Sequence, residues 1–147
     1  MRLWGHPVHP MLVHFPVAFW TVAAVAYIAA AAGVEGAAAA AKFSNGAGLI
    51  MALLAMTAGL MELRLIDSRS AAMRVATSHM MAMAAAWVCF MLALVMTISS
   101  GASLDKQIAQ LASAAAASVG FLLMSAGAWL GGRLVYELGI GMTPHKE

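Results

Sequence analysis

The placement of charge limits what this chain can fold into more than any other feature. Its eight Lys/Arg and six Asp/Glu are clumped and leave four charge-free stretches, residues 3–34, 43–61, 75–104 and 107–132. About 20 apolar residues, rising 1.5 Å each, cross the hydrocarbon core of a bilayer, and every stretch reaches or nearly reaches that length. Together they use most of the 147 residues and leave no room for a separate soluble domain. Hydrophobic residues make up 63% of the chain and charged ones only 10%, where a soluble domain carries about 25% charged residues. A water-soluble enzyme and a nucleic-acid module are excluded. So is a disulfide scaffold, because Cys89 is the single cysteine. The sequence predicts an all-α integral membrane protein, a four-helix bundle running up-down-up-down as one domain over residues 1–147, with the lipid bilayer as its surroundings.

The punctuation of the chain places the helices near residues 10–32, 45–66, 75–99 and 108–135. Helix one opens after His6-Pro7-Val8-His9-Pro10, since proline is tolerated in a first helical turn. Its apolar run exceeds the 7–15 residues of a signal-peptide core, so it reads as a span that is retained. Gly33-Val34-Glu35-Gly36 and a low-complexity alanine run separate it from helix two, with Gly46 and Gly48 at the start of the second helix. Asp67-Ser68-Arg69-Ser70 ends helix two, and Ser99-Ser100-Gly101 ends helix three. Four spans put both termini and the loop around residues 66–74 on one side. That side holds Arg2, Arg64, Arg69, Arg74, Arg133 and Lys146, against Lys42 and Lys106 on the other. The excess of basic residues predicts cytoplasmic termini in a multi-pass protein of the bacterial inner (cytoplasmic) membrane.

Helices in lipid associate by close approach over small residues, because lipid tails are as apolar as leucine. Gly48, Ala52, Ala55 and Gly59 form such a stripe on helix two, and Gly120, Gly127 and Gly131 on helix four. The 13 methionines, several of them in helix three, read as core fillers, although methionine also ligates haem iron. Trp4, Trp20, Trp87 and Trp129 read as interface or core aromatics.

An ionisable side chain inside a bilayer is costly and therefore a functional candidate. His14, one turn into helix one, and His79, one turn into helix three, qualify. The two helices run in the same direction and lie diagonally opposite, so the imidazoles sit at similar depth near the cytoplasmic face. Facing histidines in a bundle can hold a haem iron between them. The plain alternative is that each bonds a backbone carbonyl; Pro16 frees the carbonyl of Leu12 for such a bond. His6 and His9 have a spacing that could offer two imidazoles to one metal, but a zinc site wants further ligands, and an interfacial contact is the stronger reading. Asp67 and Arg133 end helices on the same side and suggest an interfacial ion pair. Arg64, Arg69, Arg74 or Arg133 could alternatively hold haem propionates, since guanidinium suits carboxylate geometry. No nucleophile–base pair, phosphate loop or carboxylate pair is visible, so a stand-alone catalyst is not expected.

Two segments carry a family resemblance. Gly5-His6-Pro7-Val8-His9-Pro10-Met11-Leu12-Val13-His14-Phe15-Pro16 and Gly127-Ala128-Trp129-Leu130-Gly131-Gly132-Arg133-Leu134-Val135-Tyr136 resemble an HPxHPxxxHFP start and a GWLGGxLVY end. These mark a bacterial family of small, functionally unassigned membrane proteins. Asp67 and His79 also fall where that family has an aspartate and a histidine. The family resembles transmembrane b-type cytochromes in layout, and related domains occur joined to Rieske-type iron–sulfur domains. The resemblance implies haem b, with His14 and His79 as axial-ligand candidates and His6 and His9 as motif members. Ala128 and Leu138 depart from the pattern; Leu138 stands where a histidine often follows the LVY element, which argues against a ligand from the end of helix four.

The leading expectation is a haem b-binding electron-transfer subunit, with a bis-histidine site near the cytoplasmic face and a redox partner protein or quinone to exchange electrons with. His14, His79, Arg133 and Arg74 form the expected cofactor site, with His6 and His9 as weaker metal candidates. The alternative is a cofactor-free accessory or assembly subunit of a larger membrane complex, or a homo-oligomer, docking through its glycine-rich faces. A small ion carrier ranks last, since no acidic residue lies at mid-membrane depth.

Overall fold

A computed structural model describes the backbone of residues 2–3, 6–99 and 105–141, with side chains from residue 8 onward within these segments. Two residue pairs, β1 (Arg2–Leu3) and β2 (His6–Pro7), form a short antiparallel ladder. The rest is helical: α1 (Val8–Leu12), α2 (His14–Ala31), α3 (Ala37–Leu63), α4 (Ala71–Ser99) and α5 (Lys106–Tyr136). The break at Val13 follows from Pro16, which has no N–H for the Leu12 carbonyl. The ladder resumes at once, as the Val17 N–H bonds Val13 O at 3.3 Å, so α1 and α2 serve as one span of 24 residues.

The helix starts differ from those read off the sequence. α3 begins at Ala37 rather than 45 and takes in the alanine run, because alanine is the best helix former and Gly36, at φ +75°, supplies the left-handed turn before it. Gly46 and Gly48 are therefore interior to the helix. α4 begins at Ala71 rather than 75. There Asp67 Oδ1 accepts from Arg69 N, and Ser70 Oγ accepts from Met73 N, closing the turn and the first orphan donors of the helix. Asp105 caps α5 by accepting from Gln107 N and Ile108 N.

α2 packs on α3 and α4 on α5, the two most extensive contacts; α2 also meets α5, and α3 meets α4. This is the ring of an up-down-up-down bundle, with α2 and α4 on one diagonal. Long apolar side chains such as Val25, Ile50, Met81 and Leu122 point outward, as lipid contact requires, while Ala23, Ala52, Ala86, Ala93 and Ala117 line the interior. Two aromatic rings fill the centre. Trp20 and Phe90, both fully buried, stack across the α2–α4 diagonal at 4.6 Å and 8°. The glycine stripes make room for them. A Cβ on Gly48 would sit 2.5 Å from Trp20 Cδ1, and one on Gly120 3.0 Å from Phe90 Cδ2.

Candidate functional site: a pair of anchored imidazoles

At the end of the bundle where α1 and α4 begin and α3 and α5 end, two histidines turn inward. His9, in α1, places Nδ1 2.7 Å from the Ala55 carbonyl of α3. His79, in the third turn of α4, places Nδ1 2.7 Å from the Gly127 carbonyl of α5. A carbonyl oxygen only accepts, so in each ring Nδ1 carries the proton and donates it. A neutral ring in this tautomer keeps a bare lone pair on Nε2. Neither Nε2 has a hydrogen-bond partner among the described residues. The ring centroids are 6.2 Å apart and the rings lie at 85° to each other.

Glycine creates both seats. A Cβ on Gly59 would meet His9 Cε1 and Nδ1 at 3.0 Å, and one on Gly131 would meet His79 Cε1 at 3.2 Å. The lower ends of both glycine stripes thus accommodate imidazoles, where the upper ends accommodate aromatic rings. Gly127 adds the carbonyl that orients His79, and the Met83 sulfur lies over it.

The structure places the other candidates elsewhere. His14 is exposed at the first position of α2, and it is the ring of His9, not His14, that meets His79. The side chain of His6 lies outside the described residues. Arg74 is exposed in the first turn of α4. Arg133 and Asp67 do not form the anticipated ion pair. Arg133 Nε is 2.9 Å from Glu137 Oε2, one turn on, and its guanidinium covers the exposed Trp129 ring at 5.2 Å; Asp67 is engaged in its own turn. The local partners win because each lies within a turn of its mate, with no side chain to stretch between helices. No group of three or more His, Cys, Asp or Glu capable of holding a metal occurs among the described residues.

A second polar cluster, near the opposite end, was not anticipated. Asn45 is fully buried in α3. Its Nδ2 donates to the Tyr27 hydroxyl at 3.0 Å and to the Phe90 carbonyl at 2.8 Å. Thr97 also reaches the Tyr27 hydroxyl and shares a 2.8 Å bond with the buried Ser113. All four long helices contribute. Asn45 is the only asparagine in the chain, and its position inside a charge-free stretch was the available signal.

Fold and site together define an integral membrane four-helix bundle with two anchored imidazoles facing its interior. A family model described as predicted membrane protein (DUF2231) matches residues 5–144, and the chain belongs to that family. Comparison with curated proteins and with solved structures returned no match.

Proposed function

We propose that the protein is a membrane electron-transfer subunit that holds one b-type haem between His9 and His79. The observation that carries this reading is the state of the two rings: each Nδ1 is fixed on a carbonyl, each Nε2 has no partner among the described residues, and the centroids stand 6.2 Å apart. An imidazole nitrogen binds a metal at about 2.0–2.1 Å, and two rings with centroids 6.2 Å apart would be near enough for both to serve one metal. Metal-bound histidines commonly donate their other N–H to a backbone carbonyl, which fixes the tautomer and strengthens the ligand. A zinc-like site would need a third or fourth protein ligand, whereas a porphyrin brings its own four nitrogens and needs only axial partners. The donor set therefore fits haem better than a bare ion. The bound haem would supply one-electron chemistry. His9 and His79 would hold its iron, and the apolar bundle would keep water from it.

In this reading His9 takes the role that the sequence assigned to His14. Arg74, exposed at the same end and without an ion pair among the described residues, is the cation best placed for a propionate; Arg133 would first have to leave Glu137. The six-to-two distribution of basic residues supports a cytoplasmic position for this end in a bacterial inner membrane, where a redox protein or a quinone would exchange electrons with it.

The test is a reduced-minus-oxidised visible spectrum of protein purified from haem-replete membranes. A low-spin haem band that is lost or turned high-spin in His9→Ala and in His79→Ala, and kept in His14→Ala, is expected. Folded wild-type protein without haem would overturn the reading. A second reading rests on the same two bonds. They fasten α1 to α3 and α4 to α5, which is a complete structural role for a cofactor-free accessory subunit. Colourless protein that His9→Ala destabilises would favour it.

A further inference from the structure

The polar cluster around Asn45 leaves two buried atoms unmatched. The direction of every bond in it can be worked out from carbonyls, which only accept. The Phe90 carbonyl and the Tyr27 oxygen take both N–H groups of Asn45, so the amide cannot be flipped and its Oδ1 faces away from them. Thr97 donates its proton to the Ala93 carbonyl at 2.8 Å. Its oxygen is therefore the acceptor for Ser113, and it lies within reach of the Tyr27 hydroxyl as well. Asn45 Oδ1 has no donor and Trp20 Nε1–H has no acceptor among the described residues, and both residues are fully buried. Unmatched amide-type groups in an apolar medium cost several kcal/mol each, and native interiors rarely retain them.

Both groups lie at the same stretch of α3, Asn45 as part of it and Trp20 packed on it at Gly48. Trp20 Nε1 is 2.7 Å from the position a Cβ on Gly48 would occupy. Gly48 stands three residues after Asn45 on α3, and Cβ positions so related are about 5–6 Å apart on one face. Two hydrogen bonds through a single oxygen span up to about 5.5–6 Å, which suits an acceptor and a donor placed in this way. The stacked Trp20 and Phe90 rings and the nearly buried Tyr27 close the surroundings.

We infer that a single buried water molecule bridges Trp20 Nε1–H and Asn45 Oδ1. It accepts from the indole and donates to the amide oxygen, and it completes a polar network tying together all four spans. The stacked aromatic pair is thereby held in register with Asn45.

The experiment is NMR of the full-length protein, labelled with 15N at tryptophan, in detergent micelles. The Trp20 indole resonance is assigned by its loss in Trp20→Phe, or by elimination through Trp4→Phe, Trp87→Phe and Trp129→Phe. A slowly exchanging Trp20 indole proton with a cross-peak to water is expected, and Asn45→Leu should abolish that cross-peak. An indole shift of a non-bonded N–H, or a bonded shift with no cross-peak to water, would overturn the proposal; the latter would mean a direct bond to Asn45. Should Asn45→Leu fail to fold, the wild-type cross-peak decides alone.

Discussion

Gly48→Ala adds one methyl group at the tightest contact of the bundle. The new carbon would lie 2.5 Å from Trp20 Cδ1 and 2.7 Å from Nε1. Non-bonded carbons are comfortable at about 3.5–4.0 Å, so the indole or α3 must move by about 1 Å. The indole cannot swing away freely, since it is fully buried and stacked on Phe90 at 4.6 Å. Overpacking of this kind costs about 1–3 kcal/mol. Gly46→Ala, two residues earlier on the same helix, is the control: nothing lies within 4 Å of its added carbon, and the gain in helix propensity is at most about 1 kcal/mol. Both variants change the chain by the same atoms in the same helix. Unfolding in detergent micelles, followed by circular dichroism and tryptophan emission, should rank them Gly46→Ala, wild type, Gly48→Ala. A Gly48→Ala protein as stable as wild type would refute the argument that the glycine stripe exists to seat Trp20.

Three further outcomes are expected. Asp105→Ala removes a carboxylate that accepts from Gln107 N and Ile108 N and should lower stability by about 0.5–2 kcal/mol in the same assay; Asp105→Asn should recover most of it. Reporter fusions at Glu35 and at the C-terminus should give periplasmic and cytoplasmic signals respectively, and a periplasmic C-terminus would reverse the orientation drawn from the basic residues. The haem-to-protein ratio of homogeneous protein should be at most one per chain, because His9 and His79 are the only histidines brought together among the described residues; a ratio of two would demand another ligand pair.

The four spans were legible because charge is excluded from hydrocarbon wherever it has no partner, and the glycine stripes because lipid gives helices no other reason to approach. The boundaries of α3 and α4 were harder. A run of alanines beside glycine looks like a linker in composition yet is strongly helical by propensity. That the ring beside His79 belongs to His9 was not legible, for a reason of phase. Residues five apart on a helix differ by about 140° beyond a full turn, so with the proline-rich start folded as α1, His9 turns inward and His14 outward. Proline spacing alone shows neither the helix nor its rotation. Asn45 was read as a helix start because Gly46 follows it, whereas its interior position depends on α3 beginning two turns earlier.

Each histidine bonds within its own hairpin: His9 to the Ala55 carbonyl of the helix that follows it in the chain, His79 to the Gly127 carbonyl in the same manner. The contacts within each hairpin also exceed those between the two. The protein is therefore built as two hairpins, each of which holds its own imidazole. As the chain leaves the translocation machinery, the first half can be complete while the second is still being made. On that order of synthesis the His9–His79 contact, like the Trp20–Phe90 stack, forms only when the second hairpin docks on the first. Severing the chain in the loop between Leu63 and Ala71 leaves both halves intact, and co-expressed halves should find each other in the bilayer.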